Sequence, residues 1–206
     1  MHNIICIMII FCALIGLIIK TGILNGRFKP YTIIYFTNQS NLLVIIIYSL
    51  YMFINMTRKN SLFNFFYGLM IVNIILTGII YFALLMPSWP GFTGKFAYRD
   101  ILATILLHFV TPVLVLTEFL IENGGNNAFS YRYIFLWCIY PVIYFIFLII
   151  RAKIGGFIPN RHSKYPYDFI SVDLIGFKNA FRNGMLILVF YSLISIIIVT
   201  ISRIGK

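Results

Sequence analysis

An all-α polytopic membrane bundle of six transmembrane helices is the fold that this sequence predicts. Three observations predict it. Of 206 residues, 61% are hydrophobic and only 10% are charged, whereas a soluble domain carries about a quarter charged residues. Mean hydropathy is +0.97. The apolar residues fall into six runs, each close to the roughly 20 residues that a spanning helix needs. None of these runs alternates polar and apolar residues, which argues against a β-barrel. The chain reads as a single integral membrane domain over residues 1–206, with no room for a separate soluble domain.

The first span covers residues 3–24. Met1-His2-Asn3 carries no basic residue, and no small-x-small cleavage site follows the apolar run. The segment is therefore expected to stay as a helix rather than leave as a signal peptide. Asn25-Gly26-Arg27 ends it. The second span, 33–54, stops before Arg58-Lys59-Asn60, and the third, 64–86, runs into the connection from Pro87 to Asp100. The fourth covers 101–121. Asn123-Gly124-Gly125-Asn126-Asn127 then leads to the fifth, 131–150, and the stretch from Arg151 to Phe181 leads to the sixth, 182–202. That last connection is too long for a turn. Its Gly155-Gly156-Phe157 and Tyr165-Pro166-Tyr167-Asp168-Phe169 suit a segment lying in the membrane interface. Cys6, Cys12 and Cys138 sit inside apolar runs at spacings that fit no metal or disulfide framework, so they read as packing residues.

The net charge is +11, from 16 basic and 5 acidic residues. The basic residues flank apolar runs, where they favour anionic lipid headgroups and not nucleic acid. Six spans put both termini on one side. The opposite side carries Lys20, Arg27, Lys29, Lys95, Arg99, Arg151, Lys153, Arg161, Lys164, Lys178 and Arg182. The terminal side carries Arg58, Lys59, Arg132, Arg203 and Lys206. The positive-inside rule places the richer side in the cytoplasm and the termini outside.

Thr37 and His108 are the candidate catalytic residues. Each is a chemically capable side chain in apolar surroundings, and such groups face a bundle interior or a watered cavity. The second and fourth spans enter from the same side. Counted from the predicted span starts, Thr37 lies about 6 Å deep and His108 about 10 Å. Helical spacing puts Thr37, Ser40 and Asn41 on one stripe, and Thr104, His108, Thr111 and Pro112 on another. A hydroxyl needs a base within hydrogen-bond reach to act as a nucleophile. Asn38, Gln39 and Asn41 offer amide N–H groups for an oxyanion. Asn73, Thr111, Tyr165 and Tyr167 complete the expected substrate-binding set. In an α-helix, Pro112 leaves the carbonyl four residues before it without a donor, and that carbonyl belongs to His108. A kink beside the imidazole is therefore expected. No carboxylate is placed to orient the ring: Glu118 is about 15 Å further along the same helix. Asp100, Asp168 and Asp173 reach the site only if connections fold over it. The ordinary roles are also available, because membrane threonines often bond to their own backbone and a lone histidine can join helices.

These residues resemble a known family. Phe36-Thr37 at the start of the second span, Leu107-His108 followed by Thr111-Pro112 in the fourth, and a Tyr-Pro with a nearby Phe in the last connection are similar to the androgen-induced protein family. That family consists of six-helix membrane proteins and has a bacterial branch; its animal members are threonine hydrolases that cleave fatty acid esters of hydroxy fatty acids. The resemblance covers nearly the whole chain by helix count and motif order. It implies that Thr37 is the nucleophile, that His108 is its base, and that no cofactor is needed. It also implies a lipid or fatty-acyl ester as substrate, in a multi-pass protein of a cell membrane. Asn-Gln-Ser-Asn after Thr37 looks like the bacterial branch and is more polar than the animal pattern. Asp168 stands where bacterial relatives tend to have Pro. Relatives carry both termini in the cytosol, opposite to the orientation that the charges favour. The alternative function is a non-catalytic protein that binds or transports a small amphiphile through the same polar site.

Overall fold

The computed structural model describes residues 2–26, 28–54, 56, 59–87, 97–122, 129–159 and 161–204. Among these no strand occurs, and six helical stretches are long and apolar enough to cross a membrane. Arg27, Arg58, Lys95 and Lys206 of the charge count, and the Asn123–Asn127 separator, lie outside the described residues.

The chain forms two compact units, residues 1–129 with 200–206, and residues 130–199. In the first unit, α1 (His2–Lys20) packs on α2 (Phe36–Ile54), and α2 packs on α3 (Ser61–Ile80). The fourth span consists of α4 (Ala97–Ile105), a π-helical segment (Leu106–Val110) and α5 (Thr111–Glu122). All three parts pack against α1, while α3 lies against α5 and the π segment. In a bilayer, close approach of backbones is a main source of helix association. Gly16 meets that need, because a Cβ there would stand 2.6 Å from Leu107 Cγ and Cδ2. The chain end belongs to the same unit. Arg203 Nε and Nη2 donate to the Phe129 carbonyl at 3.1 and 2.7 Å, and Phe129 N–H donates to Ser202 Oγ at 3.0 Å.

The span boundaries differ from expectation for local reasons. α1 stops at Lys20, because Gly22 and Gly26 take left-handed conformations around a short 3-10 turn. α2 begins at Phe36, because Pro30–Ile34 forms a separate 3-10 turn. α3 begins at Ser61, where Asn60 Oδ1 accepts the N–H groups of Leu62 and Phe63, both at 3.0 Å. It continues through a π turn, Tyr81–Leu85.

In the second unit, α6 (Arg132–Ile154) and α7 (Val172–Ile204, which enters the first unit at its end) flank the long connection. The connection is shorter than expected. Arg151 and Lys153 lie in the last turn of α6, and Lys178 and Arg182 lie on α7. Gly176, with φ of 77°, breaks the helical path, so a sequence reading that ends the loop at the apolar run misses the first turns of α7. The connection holds itself together. Arg151 Nη1 donates to the carbonyls of Gly156 at 2.9 Å and Lys164 at 2.8 Å. Ser163 Oγ and Ser171 Oγ lie 2.9 Å apart, and Arg161 pairs with Asp168.

Candidate active site

Thr37 Oγ1 and His108 Nε2 stand 3.2 Å apart, both buried. They meet although the depth count that suggested it does not hold. Thr37 is the second residue of α2, whereas His108 lies far along the fourth span, in its π segment. Helix starts on separate elements do not define a common plane.

Local backbone chemistry explains why the hydroxyl is available. Ser40 and Thr77 take the usual option in a membrane helix and donate to the carbonyls of Phe36 at 2.9 Å and Asn73 at 3.0 Å. For Thr37, the carbonyl four residues back is that of Ile33, which lies in the 3-10 turn and receives Gln39 Nε2 at 3.0 Å. The Thr37 hydroxyl turns instead to the imidazole of the fourth span.

His108 Nδ1 lies 3.1 Å from the Thr104 carbonyl. A carbonyl only accepts, so in the neutral ring Nδ1 carries the proton and Nε2 is the acceptor. The Thr37 hydroxyl then donates to Nε2, which is the geometry of a nucleophile and its base. The group that orients the ring is thus a backbone carbonyl one turn away, and no carboxylate is required. Glu118 serves elsewhere: its Oε2 accepts Tyr48 Oη–H at 2.7 Å and Tyr67 Oη–H at 2.5 Å, and all three side chains are buried. Tyr81, which sequence reasoning missed, lays its ring against the imidazole with centroids 4.2 Å apart. It follows Thr77 by one turn on α3, so extending the Asn73–Thr77 stripe by one step would have found it.

The π segment corrects the expectation for Pro112. Thr111 N–H bonds to the Leu106 carbonyl, five residues back. In that register the donor missing at Pro112 belongs to the Leu107 carbonyl, not to that of His108. Asn41 Nδ2 supplies it at 3.2 Å and also donates to the Thr37 carbonyl at 2.9 Å. The His108 carbonyl faces Gly78, where a Cβ would stand 3.0 Å from it.

The expected oxyanion amides are therefore largely structural. Asn38 Nδ2 donates to the Thr32 carbonyl at 2.7 Å, Gln39 ties Ile33, and Asn41 ties α2 to the π segment. Asn73 is fully buried on α3. Thr111 is fully buried next to the site, and its Oγ1, like Thr104 Oγ1 and Asn41 Oδ1, has no hydrogen-bond partner among the described residues. Tyr165 and Tyr167 belong to the second unit. Tyr165 N–H donates to Ser163 Oγ at 3.0 Å, and Tyr167 stacks on Phe169 with centroids 5.3 Å apart. Burial raises the Tyr165 phenol above its ordinary pKa, and the negative charge of Asp173 adds to this, so the phenol stays a neutral hydroxyl.

A groove of about 530 Å³ lies between α3 and the fourth span, with His108 in its wall. Comparison with protein-family models, curated proteins and solved structures found no match.

Proposed function

We propose that this chain is an intramembrane hydrolase of lipid esters, with Thr37 as nucleophile and His108 as base. The substrate class is a fatty acid ester of a hydroxy fatty acid or a similar ester, and the protein is a multi-pass component of a cell membrane, of bacterial type. The 3.2 Å contact between Thr37 Oγ1 and His108 Nε2, with Nδ1 held by the Thr104 carbonyl, carries this reading. The motif resemblance to the androgen-induced protein family supports the substrate class.

In the first step the Thr37 oxygen attacks the ester carbonyl while its proton passes to His108 Nε2. The negative charge develops on the carbonyl oxygen. Thr37 lies in the first turn of α2, where the helix dipole favours an anion, although the N–H groups of Asn38 and Gln39 there already donate to the Tyr35 carbonyl at 3.0 and 3.2 Å. Collapse breaks the bond to the alcohol, which leaves with the proton from Nε2. An acyl-Thr37 ester remains. Water, deprotonated by Nε2, then attacks this ester and releases the acid, and the Thr37 hydroxyl is restored. The ring works between neutral and protonated forms, and the Thr104 carbonyl accepts from Nδ1 in both.

The test is hydrolysis of a fatty acid ester of a hydroxy fatty acid by purified protein in detergent, alongside Thr37→Ala and His108→Ala. Loss of turnover in both variants, with fluorophosphonate labelling at Thr37 in the parent protein, is the expected result. Equal activity in all three proteins overturns the proposal.

A further inference from the structure

The groove between α3 and the fourth span is built from Ile75, Gly78, Ile79, Phe82 and Ala83 on one side, and from His108, Phe109, Pro112, Val113 and Leu116 on the other. Only one of these side chains, His108, is polar. Gly78 gives the groove its depth, because a Cβ there would fill the space beside the His108 carbonyl and would lie 3.6 Å from Pro112 Cβ and Cγ. Ile79, Phe82, Phe109 and Val113 are exposed on its rim. The rings of Phe82 and Phe109 meet edge to face, 6.0 Å apart. Both walls lie within stretches able to cross a membrane, so the rim faces hydrocarbon and not water. At about 530 Å³ the volume falls in the range of ligand sites, roughly 300–1,000 Å³.

The geometry points to this groove as the seat of one acyl chain of the substrate, entering sideways from the bilayer, with Gly78, Ile79 and Ala83 setting which chains fit. This rests on the Thr37–His108 reading for its chemistry. Three features single out an acyl chain. Apart from His108, no side chain of the walls offers the hydrogen bonds that a headgroup would need. The rim opens at a depth where hydrocarbon tails are the abundant occupants. The one polar side chain in the wall is the candidate base, so a chain lying there brings its ester end toward the pair.

The experiment measures kcat/KM for a long-chain and a short-chain ester in the parent protein, Ile79→Trp and Ala83→Trp. Val189→Trp, an exposed position on α7, is the control. The indole at 79 or 83 is expected to lower the long-to-short ratio at least tenfold, and the control to leave it within twofold. In parallel, a diazirine-bearing long-chain ester is photolysed on Thr37→Ala, which keeps the ester intact. Adducts are expected on the α3 and α5 peptides that line the groove, and are expected to be lost in Ala83→Trp. Thermal melts in detergent verify folding. An unchanged ratio, or adducts confined to other helices, overturns the groove assignment. Absence of hydrolysis of both esters by the parent protein overturns the Thr37–His108 reading, and the adduct map then still decides what the groove holds.

Discussion

Asn41 Nδ2 on α2 donates to the Leu107 carbonyl at 3.2 Å, the carbonyl that Pro112 leaves without a donor in a five-residue register. A proline, a π turn and a side-chain amide from another helix thus form one device. It sits one turn from Thr37 on one side and one residue from His108 on the other. The bond ties α2, which carries Thr37, to the π segment, which carries His108. A buried carbonyl in a bilayer has no solvent to fall back on.

Asn41→Leu is therefore expected to lower activity by tenfold or more and to destabilise the first unit. Pro112→Ala restores an N–H at position 112, which can serve the Leu107 carbonyl from within the fourth span. The double variant is expected to be more stable than the sum of the single effects implies, with a coupling on the order of 1 kcal/mol. Additive effects in a detergent melting cycle would show that the two residues do not share that carbonyl.

The Thr37–His108 pair makes a graded prediction. Thr37→Ser keeps an oxygen that can attack and is expected to retain measurable turnover, whereas Thr37→Val, which fills the same space, abolishes it. Loss of the base at His108→Ala is expected to cost about 10²–10⁴-fold. Intact-protein mass spectrometry with slowly turned-over esters should show the acyl adduct on the parent protein and not on Thr37→Val. An adduct of equal yield on Thr37→Val would place the nucleophile elsewhere.

The six spans were legible in the sequence as apolar runs, and Thr37 and His108 stood out as a hydroxyl and an imidazole set in those runs, the imidazole being the one histidine within a span. What sequence reading missed was backbone register. Residue type and spacing leave Asn38, Gln39 and Asn41 open either to an oxyanion or to tying helices together. The 3-10 turn before α2 presents carbonyls that take two of them, and the π segment presents the carbonyl that takes the third. Neither irregular register leaves a periodic trace in the sequence. The search for a carboxylate behind His108 failed for a related reason: a main-chain carbonyl has no residue type by which to recognise it. Gly176 hid the start of α7 in the same way, since the polar residues around Val172–Phe181 read as loop until the glycine is seen as a break inside a helix.

Glu118 separates stability from catalysis. Its carboxylate receives two tyrosine hydroxyls from α2 and α3, and its distance from His108 along the helix keeps it out of the chemistry. Glu118→Ala leaves both hydroxyls without that acceptor, at about 1–3 kcal/mol for each unsatisfied group. Glu118→Gln keeps an acceptor and is expected to cost less. Both variants, assayed at a temperature where they remain folded, are expected to keep turnover within about threefold of the parent protein, as for a residue that touches no reacting atom. A hundredfold loss in a folded Glu118→Gln protein would tie this carboxylate to the reaction.

Thr111 carries the opposite signature. It is fully buried, three residues after His108, and its Oγ1 has no partner among the described residues. A hydroxyl that bonds to no other described residue gains little for the fold, so Thr111→Val, which preserves shape, is expected to leave the melting temperature unchanged or to raise it slightly. Buried polar atoms without protein partners are where water or a ligand's polar group is held. The same substitution is therefore expected to slow turnover about tenfold, the order of one lost hydrogen bond at roughly 1.4 kcal/mol. If the hydroxyl holds the water that attacks the acyl-Thr37 ester, the loss falls on the second step. A burst of released alcohol followed by slow release of acid, with the acyl adduct accumulating on Thr37, would then mark the variant. If the hydroxyl holds the substrate instead, KM rises and no adduct builds up. A Thr111→Val protein with parental kcat and KM would show that this hydroxyl has no part in the reaction.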